Sequence, residues 1–408
     1  MNKTRLKKYA SLIARCGVNV QKGQEVFITA GLDQPEFVKM VVDECYKAGA
    51  SKVYVDWTYQ PLTRSNVKYC SAKRLGEVES WVIDKWEHQA EVIPCKIYLI
   101  SEDPDGLDGI NVKKYAKAMA QRSKTIKPIR DRMENKYQWC IAAVPGKEWA
   151  KKIFPKERTS RAVELLWEAI LSTSRINEDP VEAWRLHNED LAKRCEYLNS
   201  LKIRELIYKS ASGTDFRVGL IPEGIFAGGG ENALGSGIYF NPNIPSEEVF
   251  TSPMKGKAEG IVYSSRPLAY NGTLIENFWI RFAEGKAVEV GAERGEEALR
   301  ELIAMDEGAA YLGECALVPY SSPIRESGLL FYNTLFDENA ACHLALGRGF
   351  SNLIDGYEKR TEAVLHEMGI NDSIVHEDFM IGTSDMSITA ITEDGREVAI
   401  FRDGEWAF

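Results

Sequence analysis

The sequence predicts an α/β protein in two parts: an N-terminal domain with a parallel sheet and crossover helices over residues 1–202, and a C-terminal mixed α+β domain over residues 203–408. Three observations lead there. Up to about residue 200, short β-rich apolar runs alternate with amphipathic segments, as strands and crossover helices do in a parallel sheet. Past that point strand-like runs follow one another with Gly and Pro between them. A chain of 408 residues, 44% hydrophobic and 27% charged, is also long enough for roughly two domains with full cores.

Taken in order, the N-terminal segment carries Leu6, Tyr9, Ala10, Leu12 and Ile13 at helical spacing between cations. "EVFIT" (25–29), "KVYVDW" (52–57), "KIYLI" (96–100) and "WCIAAV" (139–144) read as the strands of the first domain. "PEFVKMVVDECYKAGA" (35–50) reads as a helix that stops at the "AGA" after Lys47. "SRAVELLWEAIL" and "PVEAWRLHNEDLAKRCEYLNSL" are two more, the second opened by Pro180 in a position suited to a first helical turn. "RELIYKSASGTDFRVGL" then reads as a hairpin turning at Ser212–Asp215, and "GEEALRELIAM" and "EKRTEAVLHEMG" as helices of the second domain.

Composition removes several function classes. The net charge of −9, spread without long like-charge blocks, leaves no electrostatic footprint for nucleic acid or an anionic membrane, and suits amines, peptides and metal cations as partners. The interrupted N-terminal segment is no signal peptide, and no apolar run approaches the ~20 residues of a membrane span, so a cytoplasmic protein is expected. Eight dispersed cysteines without a CxxC pair read as reduced, mostly buried thiols. "FAGGGENALGSG" (226–237) lacks the Lys-Ser/Thr of a phosphate loop and reads as a turn or close-approach loop. No G-x-S-x-G exists to seat a nucleophilic serine.

What remains is a set of acids and imidazoles in apolar settings. In "SIVHEDFMIG" strand periodicity puts His376, Asp378 and Met380 on one face. In "NTLFDENAACHLALG", Glu338 and His343 are five apart, which in an unbroken helix sets them about 140° from one another. With "LLFYNTL" read as strand-like and "AACHLALG" as helical, they converge only if Glu338 lies in the approach loop and His343 in the first turns. Glu314, in "YLGECALVP", shares a strand face with Ala316 and Val318, and Glu248 stands in "PSEEVFTSP". Cys342 reads as core filler, and His88, His187 and His366 as ordinary surface histidines. Ionised carboxylates are costly to bury unless a cation or hydrogen bonds compensate them. Glu248, Glu314, Glu338 and Asp378 formally balance two divalent cations, with His343 and His376 completing the shells. Oxygen donors with a minority of nitrogen suit Zn, Co or Mn. Two such ions can lower the pKa of a shared water toward ~7 and polarise the carbonyl that it attacks.

The blocks "FNPNIPSEEVFTSP", "YLGECALVPYSSPI", "LLFYNTLFDENAACHLALG", "VHEDFMIGTSD" and "FRDGEWA", in this order, resemble those of the thermophilic aminopeptidase family, the dimetal exopeptidases of aminopeptidase T and S type. The likeness extends to "LKKYASLIARCGVNVQKGQEV", "DPDGLDGI" and "KPIRDRMENKYQWC", nearly the whole chain. It implies a homodimeric cytoplasmic enzyme that removes N-terminal amino acids from short peptides with a free N-terminus, its C-terminal domain bearing the metals. Block by block, the family's ligands fall on Glu248, Glu314, Glu338, His343, His376 and Asp378, with Glu314 as the metal-bridging, catalytic carboxylate. One departure stands out: the family continues "HLALG" with two residues and a tyrosine, and this chain has Phe350 there, a ring that neither ligates nor donates a hydrogen bond. The same resemblance implies that Val is usual where Glu377 stands. Tyr332 and Tyr357 are the candidates to replace the lost hydroxyl. Two other readings stay open: an altered or inactive relative acting as a binding protein, and a mononuclear Fe(II) ring-cleaving dioxygenase using His376, Asp378 and His343.

Overall fold

The computed structural model describes residues 2–270 and 272–408. The chain forms two compact units, Met1–Leu186 with Gly230–Pro245, and His187–Gly229 with Ser246–Phe408.

The first unit is built on a fully parallel sheet in the order Asn243–Ile244, Trp139–Ala143, Cys95–Ile100, Glu25–Gly31, Lys52–Thr58. All four expected strands are present, and the two-residue edge strand Asn243–Ile244 comes from far along the chain. The helix Lys3–Leu12 is capped by Asn2, whose side chain accepts from the Thr4 N–H at 2.9 Å. The helix Pro35–Ala48 ends on Gly49 at φ 117°, a left-handed stop that costs a glycine no Cβ clash. Helices Thr159–Thr173 and Pro180–Ser200 lie where the periodicity puts them, the latter passing into the second unit at His187. Helix Val112–Asp131 escaped the pattern because only Ala118 and Ile129 of its residues are buried, too few to mark an apolar stripe.

In the second unit the hairpin Ile203–Lys209/Asp215–Leu220 opens an eight-stranded sheet. A second, antiparallel sheet runs in the order His376–Met380, His343–Gly347, Leu312–Leu317, Val249–Thr251, Ala227–Gly228. One face of it, with Val249, Cys315, Leu317, Leu344, Leu346 and Phe379, belongs to the same buried core as Phe216, Ile388 and Phe401 of the larger sheet. Strand alternation turns every second residue to the opposite face. No helix among the described residues is long and apolar enough to cross a membrane.

The segment 329–347 departs from expectation. "LLFYNTL" is not a strand but leads into the short helix Thr334–Asp337 and the 3₁₀ turn Glu338–Ala340, and "HLALG" is not helical but the strand His343–Gly347. The strand is buried on both faces, so its residues show no alternation, and a short continuous apolar run does not distinguish strand from helix.

Candidate metal centre

The sheet's second face gathers the predicted side chains. Register sets Glu314 opposite Ala345 and Ala345 opposite Asp378, while Ala316, His343 and Met380 form the next row. Glu314, Asp378, His343 and His376 therefore project from one face, and Ala345, the smallest side chain that keeps a Cβ, leaves the floor between the two acids open. Glu248 enters one residue before the strand Val249–Thr251. A close approach helps place it: a Cβ on Gly228 would stand 2.5 Å from the Glu248 carbonyl oxygen, which is the packing expected of that glycine-rich loop.

The side chains form two groups whose donor atoms lie within 4.8 Å of one another: Glu248, Glu314 and His343, and Glu314, His376 and Asp378. Glu314 belongs to both. His343 Nε2 is 3.2 Å from Glu248 Oε2 and 4.0 Å from Asp378 Oδ1; His376 Nε2 is 3.1 Å from Glu314 Oε2 and 3.5 Å from Asp378 Oδ1. Glu338, on the 3₁₀ turn, hydrogen-bonds Asp378 and lies within the field of Glu248 and Glu314. All six predicted residues are thus brought together. Phe350 is at the edge of the group, its ring centroid 4.9 Å from that of His376 and 5.8 Å from that of Phe250. Tyr332 borders the cavity next to Glu338 and Asp378, whereas Tyr357 packs against the separate cluster of Ile354 and Leu365.

The electrostatics demand positive charge. Burial, then Asp378, Glu248 and Glu314, hold the Glu338 carboxyl well above its ordinary value. Burial also lifts Glu314 to about 7, its acidic neighbours adding to the effect and His376 opposing it. For His343, burial favours the neutral ring, but Glu248, Asp378 and Glu314 outweigh it and raise the imidazole to about 9. For His376 the same contest, won by Asp378 and Glu314, gives about 12. Glu314 and Glu338 are therefore held above the ordinary carboxylate range, and both imidazoles above the ordinary histidine value.

A divalent cation fits this set better than protons do. Glu248 Oε2 and Asp378 Oδ1 are buried without a hydrogen-bond partner among the described residues. Native structures seldom leave such oxygens orphaned unless an unseen water or ion completes them. Each imidazole has its Nδ1 against a main-chain carbonyl, His343 on Ala341 at 3.1 Å and His376 on Arg348 at 2.7 Å. With Nδ1–H donated there, each Nε2 lone pair points into the acids, as an outer hydrogen bond orients a metal-ligating histidine.

Residues that sequence reasoning did not single out hold this arrangement. Asn339, fully buried, accepts from the Glu247 N–H at 2.7 Å and donates to the Leu335 carbonyl, tying the Glu248 loop to the Glu338 turn. His187 bonds the Ser246 carbonyl at 2.7 Å, so this histidine braces the same loop. Asn371 donates to the carbonyls of Gly347 and Gly308. An Asn next to Glu338 and four residues before His343 was the one available signal for Asn339. The other two act across distances that no local pattern reveals.

The sequence profile of the thermophilic metalloprotease family (M29) matches residues 2–406. The chain belongs to that family. Among M29-like relatives, it is 41% identical over 406 residues to aminopeptidase AmpS of Bacillus subtilis, covering 99% of this chain and 98% of that protein. It is 38% identical over 406 residues to aminopeptidase T of Thermus thermophilus, with the same coverage. The solved structure of wild-type AmpT from Thermus thermophilus superposes with a TM-score of 0.91 at 37% identity, over 100% of both chains. A 2,5-dihydroxypyridine dioxygenase from Pseudomonas putida shares the fold alone, with a TM-score of 0.51 at 13% identity over 99% of this chain and 97% of that one.

Proposed function

We propose that this M29 metalloprotease is an aminopeptidase that releases N-terminal amino acids from short peptides at a centre of two divalent ions, Zn, Co or Mn. The observation that carries the reading is the pair of donor groups sharing Glu314. In this assignment Glu248 and His343 would hold one ion, His376 and Asp378 the other, with Glu314 within reach of both and Glu338 beside them. Bound there, the ions supply a Lewis acid for the first peptide carbonyl and a water made nucleophilic at neutral pH.

The chain's own groups do the rest. Backbone carbonyls of Ala341 and Arg348 hold each imidazole at Nδ1, so Nε2 is the ring atom turned toward the acids. Glu314, central to both groups, is the catalytic carboxylate: it orients the attacking water, and a carboxylate of the cluster carries the water's proton to the leaving amine. Phe350 against His376 closes that side of the site with an apolar ring. The catalytic work is proposed for the second unit, and the enzyme for the cytoplasm as a homodimer.

Metal analysis of protein purified without added metal, followed by a panel of short peptides, tests this. Two ions per chain, loss of amino-acid release on chelation and inertness of N-acetylated peptides are expected; release that survives chelation ends the reading. One iron per chain with oxygen uptake points instead to the dioxygenase reading, which leaves most of the carboxylates without a role. Metal-bound protein that cleaves nothing points to the binding-protein reading.

A further inference from the structure

The cavity that Glu338 and Asp378 border is walled in part by Leu330, Tyr332, Asn333 and Met380. Two features of that wall are unusual together. Tyr332 holds φ at 55°, in the left-handed region that costs a residue with a Cβ roughly 1–2 kcal/mol. Asn333, next to it, carries a side-chain oxygen, Oδ1, that is buried with no donor among the described residues.

The strained turn is held from behind. Asp337 accepts the Phe331 N–H at 2.9 Å on one oxygen and the Asn333 N–H at 3.0 Å on the other. Asp337 is itself held by Arg266, 3.6 Å away, whose guanidinium also donates to the Leu329 carbonyl; both side chains are buried. A buried ion pair therefore fixes a loop whose conformation is unfavourable by itself, and the outcome is an unmatched acceptor kept at the edge of an acid-lined cavity. An orphaned buried acceptor costs roughly 1–3 kcal/mol. Folding keeps it, which leaves the oxygen open to a donor from outside the chain.

We infer that Asn333 recognises the free α-ammonium group of the substrate, its Oδ1 accepting a hydrogen bond from that group beside Glu338 and Asp378. The inference rests on the aminopeptidase reading and deepens it: it names the residue that makes a free N-terminus a requirement. The α-amino group is the donor that a free N-terminus supplies at this wall, whereas an N-acetyl group leaves one amide N–H and adds bulk where the amine would meet Oδ1. Asn333 is a binding residue here and takes no part in proton transfer.

The test compares leucine with isocaproate, the same carboxylate and side chain without the amine, by calorimetry on the metal-loaded protein. Wild type binds leucine the more tightly. Asn333→Ala weakens leucine about tenfold or more, as expected when a hydrogen bond to a charged group is lost, and leaves isocaproate unchanged. Asn333→Asp, which keeps an acceptor, restores the preference. In peptide hydrolysis Asn333→Ala raises KM with kcat little altered. The backbone N–H that Asp337 holds is present in each variant, and melting temperature checks the fold. Equal weakening of both ligands, no weakening of either, or no amine preference in wild type overturns the assignment. If unblocked peptides are still cleaved in a chelator-sensitive way, only this assignment falls; if they are not cleaved with metal present, the aminopeptidase reading falls with it.

Discussion

Glu314→Gln keeps the shape of the side chain and removes one of the charges that the proposed centre would use. In metal-free protein this relieves repulsion among Glu248, Glu314, Glu338 and Asp378, so the variant melts at a higher temperature than wild type. With metal present the order reverses, and peptide hydrolysis falls by at least about 10²-fold, as when a group acting at the reacting centre is removed. Calorimetric melting with and without metal checks the crossing of signs; a variant less stable in both states contradicts it. The six residues were legible in the sequence because acids and histidines in apolar surroundings are rare enough to stand out. Asn339 and His187 were not, since an amide or imidazole that props a loop has no composition that separates it from an ordinary polar residue.

The strand His343–Gly347 makes the site a property of a sheet rather than of a helix. Its Ala345 lies between Glu314 and Asp378 in the cross-strand row, so Ala345→Val puts two methyl groups onto the floor of the centre. Metal content below wild type is expected, with far-ultraviolet dichroism unchanged and a stability loss of about 1–3 kcal/mol from overpacking. Full metal loading in this variant removes Ala345 from the floor.

In the first unit the strand Cys95–Ile100 carries Lys96, buried with its ammonium 4.3 Å from the Trp86 ring and 4.8 Å from the Tyr137 ring. Burial, then the charges of Arg130 and Lys85, lower this lysine to about 8. Below pH 8 folded and unfolded chains both hold the proton, and the folded state bears the full cost of a buried cation, about 3 kcal/mol, of which the aromatic faces return about 2 kcal/mol. Between pH 8 and the ordinary lysine value unfolding takes up a proton, so this group's penalty fades as pH rises. Lys96→Met is therefore stabilising by about 1 kcal/mol at pH 7, with the gain shrinking by pH 10; denaturant midpoints at the two pH values measure it. Strand assignments in this unit were readable because central parallel strands are short apolar runs between helical segments, whereas Val112–Asp131 buries too little to be marked.

For the whole molecule, ions that bind only the folded second unit stabilise it by mass action, about 2.7 kcal/mol at a free concentration 100 times Kd. Chelation is expected to lower its melting temperature by roughly 5–10 °C, and Zn, Co or Mn to restore it. No shift on chelation contradicts a bound centre. By itself the sequence determined the α/β class and the family and singled out the six acids and imidazoles as candidates, because these depend on residue type, order and local periodicity, which any segment carries within itself. Only tertiary structure decided that His343 lies on a strand, that Ala345 opens the floor between Glu314 and Asp378, and that Asp337 with Arg266 holds Tyr332 and Asn333 in a strained turn. Those facts depend on register and on contacts between residues tens of positions apart, and their energies come from burial, which no local window of sequence contains.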